Sequence, residues 1–106
     1  MELIEEKDLI GLVQLQQKKA DVIVDMKCVV RCVEIICPDT NKKTNVWRME
    51  FKIMKKIRGE IEVKTLHLYK RRLEERFFKR LNGVEKFTRK VGIEEFTVIT
   101  KITTLA

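Results

Sequence analysis

Apolar and polar residues alternate along three consecutive stretches of the chain, which predicts three β-strands. Residues 21–37 carry one nearly continuous apolar face and one mixed face, as expected of a long strand against a core. A polar loop over 38–45 precedes a second alternating stretch over 47–57, and a turn at Arg58-Gly59 leads into a third over 60–64. Short turns join antiparallel neighbours, so the pattern predicts a three-stranded meander.

The remaining stretches predict helices and a last strand. Residues 1–19 favour a helix, with a short strand over 9–15 as the competing interpretation. Apolar residues at helical spacing predict a helix over 66–82, which Asn82-Gly83 would end. A basic connector over 84–92 then leads to a strand over 96–102. The helical spacing comes from Leu66, Tyr69, Leu73, Phe77 and Leu81.

These elements predict an α+β fold in one domain that spans residues 1–106. At 106 residues with 44% hydrophobic residues, the chain has the size and composition of a single packed domain. The expected architecture is an antiparallel sheet, made of the meander and a strand that returns after a packed basic helix. A small OB-like barrel is the alternative, because its β-β-β-α-β order is similar.

The net charge of +7 is confined to one quarter of the chain. Residues 64–90 hold ten cations and three anions, and the rest of the chain is neutral. A concentrated positive field favours phosphate backbones, an anionic membrane or an acidic protein as partner. Few Asn and Gln and abundant Lys, Glu, Ile and Val are also typical of heat-adapted proteins, in which charge needs no partner.

The main functional hypothesis is a small, non-enzymatic module that binds DNA or RNA through the predicted helix around 66–82. Arginine and lysine hold phosphates, and a neighbouring tyrosine offers a face for an unpaired base. An ordinary solvated helix face is the competing interpretation, since Glu74 and Glu75 could pair with nearby arginines. The candidate contacts are Lys42, Lys43, Tyr69, Arg72, Arg76, Lys79, Arg80, Lys86, Arg89 and Lys90.

A second hypothesis is a protein-interaction or regulatory module, which could form a homodimer through a sheet edge or an exposed helix. An acidic protein partner is the corresponding alternative to nucleic acid. No apolar run approaches the roughly 18–20 residues of a membrane span. The acidic start of the chain does not resemble a secretory signal, so a reducing, cytoplasmic location is expected.

A third hypothesis is a Mg²⁺-dependent nuclease, because Pro38-Asp39 and Glu62-Val63-Lys64 match the loose PD…(D/E)xK pattern. Such chemistry needs two carboxylates on the metal and a lysine near the attacked phosphate. In a meander Asp39 would lie roughly 30 Å from Glu62, so Asp25 is the substitute that would complete a site with Glu62 and Lys64. A ladder of surface ion pairs is the competing interpretation.

The three cysteines and the single histidine predict no metal site and no cofactor. Cys28 and Cys32 on one strand would be roughly 13 Å apart, which is too far for one zinc ion or for a disulfide. We therefore expect buried thiols, with Cys37 near the strand end. His67 has no serine and no second histidine to act with, and is expected at the surface or at a sheet end.

Overall fold

The computed structural model describes residues 2–17, 23–37, 39–70 and 74–104. More than half of these residues form strands of one mixed sheet of six strands, which is not closed into a barrel. Two helices pack on this sheet. The elements in chain order are β1 (Glu2–Ile4), α1 (Glu6–Gln17), β2 (Ile23–Ile36), β3 (Lys43–Ile57), β4 (Glu60–Leu68), β5 (Phe77–Phe78), α2 (Leu81–Val91) and β6 (Thr97–Thr104).

The predicted meander is present in β2, β3 and β4, which pair antiparallel in that order. The predicted turn between β3 and β4 is confirmed: Arg58 and Gly59 have φ of 51° and 83°, the two positive angles of a two-residue hairpin turn. Ile57 pairs with Glu60 directly across this turn. The alternation of apolar and polar residues is therefore a correct guide to the centre of the sheet.

The predicted fold class is wrong because the outer strands are parallel to their neighbours. β1 pairs parallel with β4, and β6 pairs parallel with β2. Helix α1 follows β1, and helix α2 precedes β6. Parallel strands start at the same end of a sheet, and a helix between two strands carries the chain back to that end. The sheet order β1-β4-β3-β2-β6 leaves two edges, which also contradicts the OB-like barrel.

The helix predicted over 66–82 is also wrong. Leu66, His67 and Leu68 belong to β4, where they pair with β1. After a β-bridge between Tyr69 and Glu75, the two-residue strand β5 adds to β3. Five apolar residues at helical spacing favour a helix here, but backbone pairing of β4 with β1 and β3 stabilises a strand. Intrinsic helix propensity does not include the free energy of these long-range contacts. Residues 71–73 of the predicted helix lie outside the described residues.

The second helix lies where the sequence predicts a connector. α2 ends at Gly92, whose φ of 89° is left-handed, and the N–H groups of Gly92 and Ile93 donate to the carbonyl of Thr88. This is the glycine-terminated helix end that the sequence analysis assigned to Asn82-Gly83. The helix favoured over residues 1–19 is confirmed as α1, although the short strand β1 before it was not predicted.

Both helices cover the same face of the sheet. Leu9 and Val13 of α1, together with Val84, Phe87 and Val91 of α2, pack against strand residues in one core. The strand residues of this core on the helix-covered face are Ile4, Cys28, Val30, Met49, Phe51, Leu68 and Phe78. Among the described residues, no helix is long and apolar enough to cross a membrane.

Candidate nucleic-acid interface

The exposed side of α2 and the residues just before it carry a dense group of cations. We call this group the α2 basic surface: Lys79, Arg80, Lys86, Arg89 and Lys90. All five are exposed, and Glu85 is the single acidic residue between Lys79 and Val91. Five of the ten predicted contact residues are thus found on α2 or directly before it, and not on the helix predicted over 66–82.

The amphipathic pattern of α2 orients this surface. Val84, Phe87, Thr88 and Val91 are buried at helical spacing, which leaves the intervening lysines and arginine on the solvent side. The helix begins after Arg80, with no side-chain cap and no acidic residue in its first turn. The positive end of the helix dipole therefore adds to the charge of Lys79 and Arg80.

Ion pairs neutralise part of the α2 basic surface. Arg89 pairs with Glu85 one turn earlier, and Lys90 Nζ lies 2.8 Å from Glu6 Oε1 of α1. Within the described parts of the chain, no carboxylate oxygen lies within 4.0 Å of Lys79, Arg80 or Lys86. These three cations are therefore the centre of the positive field.

The loop between β2 and β3 contains the predicted contact Lys42, and the next predicted contact, Lys43, is the first residue of β3; both are exposed. Lys43 Nζ lies 3.9 Å from Glu34, a long pair at an exposed site. Phe78 pairs with Trp47, so Lys79 continues from this pairing toward the first residues of β3 and the loop before them. Hydrogen bonds from Asp39 and Thr40 lower the pKa of Cys37 at the other end of this loop. Lys42 and Lys43 thus flank the start of the α2 basic surface.

The other predicted contacts are placed differently. The guanidinium of Arg76 lies 4.9 Å from the ring centroid of Phe78 and 5.0 Å from that of Phe87, so it is held by cation–π contacts under α2. Tyr69 lies beside Glu5 at the start of α1, where burial and the Glu5 carboxylate raise its pKa. It is therefore not a stacking partner next to the cations. Arg72 lies outside the described residues.

The residues of the nuclease hypothesis do not converge. Glu62 pairs with Lys55 and Lys64 with Ile53, which places both on the helix-covered side of the sheet. Asp25 pairs with Met54, which in turn pairs with Val63, so its side chain belongs to the opposite face. Asp25 lies on the face that a count along β2 from the buried Cys28 predicts, so it is the position of Glu62, on the helix-covered side, that separates the two carboxylates.

The thiols and the histidine do not form a metal centre: no group of three metal-ligating side chains exists in the described part of the chain. The prediction of buried thiols is confirmed for Cys28 and Cys32 and is wrong for Cys37, which is half-buried. Burial raises the pKa of Cys28 to about 12, which keeps this thiol protonated and unreactive.

The main feature that the sequence analysis missed is a network of charged side chains on the face opposite the helices. Arg31 and Arg48 are directly paired across β2 and β3 on this face. Arg31 Nε donates to Glu50 Oε2 at 3.0 Å, and Arg48 Nε donates to Glu75 Oε1. His67 Nε2 lies 3.7 Å from Glu50 Oε1. We call these five residues the opposite-face network: Arg31, Arg48, Glu50, His67 and Glu75.

His67 is nearly buried in this network, with 12% of its side chain exposed, so the expected surface position is wrong. Burial, followed by the positive charge of Arg48, lowers its pKa below the usual 6.5. Its Nδ1 is buried and has no hydrogen-bond partner among the described residues. The signal in the sequence was the presence of Arg31, Arg48 and Glu50 in strand interiors, where charges need partners.

A cleft of about 1050 Å³ lies between α1, β2 and the segment that connects α2 to β6. Its charged lining residues are Asp25, Lys27, Glu94 and Glu95, so acidic groups predominate. The cleft therefore does not extend the positive field of the α2 basic surface.

No protein-family model matches this chain, and neither a comparison with curated proteins nor one with solved structures found a match.

Proposed function

We propose that the protein binds nucleic acid through the phosphate backbone, using the α2 basic surface. The observation that carries this proposal is the presence of five exposed cations against one carboxylate between Lys79 and Val91. Electrostatic attraction of this kind supplies most of the sequence-independent affinity of proteins for nucleic acid. The contact region therefore replaces the helix predicted over 66–82.

The dimensions of the surface fit a short stretch of backbone. At 1.5 Å per helical residue, the 11 residues of α2 extend over about 16 Å, and Lys79 and Arg80 directly precede them. This corresponds to about four or five phosphates of one strand at 3.4 Å per nucleotide. Lys42 and Lys43, at the start of β3 and on the side toward Lys79, would extend the contact to a neighbouring phosphate.

The side chains favour contact with phosphates over contact with bases. Every described aromatic residue is buried or half-buried, so no exposed ring beside α2 offers a stacking surface for an unpaired base. Lysine and arginine on a solvent-exposed helix contact the backbone of any sequence. Binding is therefore expected to tolerate sequence and to depend steeply on salt.

The direct test is fluorescence anisotropy of labelled single- and double-stranded DNA and RNA between about 50 and 200 mM salt. Four phosphate contacts predict a slope of log affinity against log salt of about −3 to −4. Absence of binding to all four oligonucleotides at the lowest salt would overturn the proposal. If unlabelled polyglutamate competes as well as nucleic acid, the surface binds acidic proteins instead.

Two variants of equal charge separate this surface from general basicity. Lys79→Gln, Arg80→Gln and Lys86→Gln together remove the three cations of the α2 basic surface that pair with no described carboxylate. This variant should reduce the slope of log affinity against log salt to about −1. The matched control is Lys27→Gln, Lys52→Gln and Lys56→Gln, three exposed lysines on the opposite face of the sheet. It should leave the slope close to that of the wild type. Equal losses in the two variants would assign the binding to net charge and not to α2.

A further inference from the structure

The outer edge of β4 is only partly covered. β1 pairs with Leu66, His67 and Leu68, and no described strand pairs with the same edge over Glu60–Thr65. We call this stretch, Glu60–Thr65, the β4 edge. An uncovered strand edge can pair with another strand, and proteins normally protect it with a charge, a proline or a bulge.

The backbone of the β4 edge has hydrogen-bonding groups directed outward. Tyr69 N–H donates to the carbonyl of Ile4 in β1, so the N–H and C=O of Tyr69 point to this side of β4. The N–H and C=O of one residue point to the same side of a strand, this side alternates from residue to residue, and the ladder between β3 and β4 has no register shift. The N–H and C=O groups of Ile61 and Val63 therefore point to the uncovered edge.

The side chains of the β4 edge combine exposed apolar groups with both signs of charge. Ile61 and Val63 are 60% and 62% exposed, and they lie on the face opposite the helices. Glu60, Glu62 and Lys64 alternate with them on the other face. Two β-branched residues at an uncovered edge leave apolar surface in water that pairing would remove.

We propose that two copies of the chain pair antiparallel through the β4 edge, about a two-fold axis at Glu62, to form one continuous sheet. Ile61 then lies opposite Val63 of the second copy, and the symmetry repeats this apolar pair. The outward N–H and C=O groups of Ile61 and Val63 form four hydrogen bonds between the two copies. Glu60 lies opposite Lys64 of the second copy, again twice, so charge complementarity supports self-pairing.

Neighbouring registers are less favourable. An axis at Val63 would bring Glu60 of the second copy level with Leu66, where Glu2 of β1 is already paired. An axis at Ile61 would place Glu60 opposite Glu62 in both symmetric pairs, which is repulsive. In the proposed register the two Glu62 side chains meet, but each has Lys64 Nζ at 3.7 Å and Lys55 as its cross-strand neighbour.

The interface is small. Five residues per strand fall short of the roughly 1,200 Å² that stable interfaces bury, so the dimer is expected to be weak and to depend on concentration. The proposal does not rest on nucleic-acid binding, because the β4 edge and the α2 basic surface belong to different elements.

The first experiment is sedimentation velocity of the full chain over a concentration series from micromolar to millimolar. We expect a monomer–dimer equilibrium that Val63→Pro shifts to monomer by at least about tenfold in dissociation constant. This proline removes an N–H that points outward, so the hydrogen bonds between β3 and β4 remain, which circular dichroism checks. A wild-type chain that stays monomeric, or a dimer that Val63→Pro leaves unchanged, would overturn the proposal.

A charge exchange tests the register. Glu60→Lys alone and Lys64→Glu alone each place like charges opposite one another in both symmetric pairs, and each should weaken the dimer roughly tenfold. The double variant Glu60→Lys/Lys64→Glu should restore it. The matched control Glu62→Lys/Lys64→Glu restores pairing only if the axis lies at Val63. Restoration by the control and not by the first exchange would refute the proposed register.

Discussion

The two faces of the sheet are built from alternate residues of the same strands and are stabilised in different ways. On the helix-covered face, Val30 and Met49 form a cross-strand pair that is buried by α1 and α2. The adjacent pair, Arg31 with Arg48, points to the opposite face and belongs to a network of opposite charges. Adjacent residues of one strand are thus stabilised differently: one side chain packs in an apolar core, and the next takes part in ion pairs.

This difference sets what each face tolerates. Removal of side-chain volume from an apolar core lowers the free energy of unfolding, because the surrounding side chains fill the resulting cavity only in part. Removal of one partner from a buried ion network also lowers the free energy of unfolding, since the remaining charge is still desolvated but no longer compensated. The core on the helix-covered face should therefore respond to side-chain size, and the opposite-face network to charge and pH.

The largest effect is expected for Phe51→Ala, at the centre of the helix-covered face. Phe51 is fully buried, and truncation of such a ring costs about 3–5 kcal/mol. Urea unfolding followed by circular dichroism measures this loss. Ile61→Thr, at a 60% exposed position of β4, is the control and should stay within about 0.5 kcal/mol of wild type. A similar cost at both positions would mean that the two helices do not form the main core.

The next effect is expected for Glu50→Gln, which keeps the shape of the side chain and removes its charge. Glu50 accepts a hydrogen bond from Arg31 and lies near His67, with 11% of its side chain exposed. Loss of a charged, nearly buried hydrogen-bond partner costs about 1.5–3 kcal/mol. The free energy of unfolding at neutral pH tests this value. An unchanged stability would show that the opposite-face network is solvated.

The pH dependence of stability should identify His67. Its pKa is lower in the folded protein than the usual 6.5, so the unfolded chain binds the proton more tightly. Stability from this group is complete above pH 6.5 and decreases as the pH falls toward the folded pKa. His67→Gln should remove this decrease when urea midpoints are compared between pH 7.5 and 5. An equal slope in wild type and variant would place the titration elsewhere.

The smallest effect is expected for Glu85→Gln, the exposed counterpart of Glu50→Gln. Glu85 pairs with Arg89 on the solvent side of α2, and exposed pairs one turn apart contribute only about 0.3–0.5 kcal/mol. The same unfolding measurement should barely detect this change. A loss as large as that of Glu50→Gln would contradict the distinction between buried and exposed pairs.

The centre of the sheet could be predicted from the sequence because its signals are local. Alternation along β2 and β3, and the Arg58-Gly59 turn, act over a few residues and require no knowledge of distant partners. The buried thiols Cys28 and Cys32 followed from the same alternation. Half of the predicted contact residues lie in the α2 basic surface, since the concentration of charge is a property of the sequence itself.

The region after β4 could not be predicted in the same way. Leu66 and Leu68 fit a strand as well as Leu66 and Tyr69 fit a helix, and pairing with β1, more than sixty residues earlier, decides between them. The same holds for Gly83 and Gly92: both are possible helix ends, and Gly92 ends α2 with its left-handed backbone. Local periodicity gives two solutions here, and only long-range contacts select one.

The amino-acid sequence alone was sufficient for the three central strands, for the position of the excess charge and for the burial of two thiols, because these depend on neighbours in the chain. The parallel outer strands, the place of α2, the opposite-face network around His67 and the uncovered β4 edge were decided by tertiary structure. Each of them depends on which distant strands become neighbours, and that depends on the free energy of the whole fold.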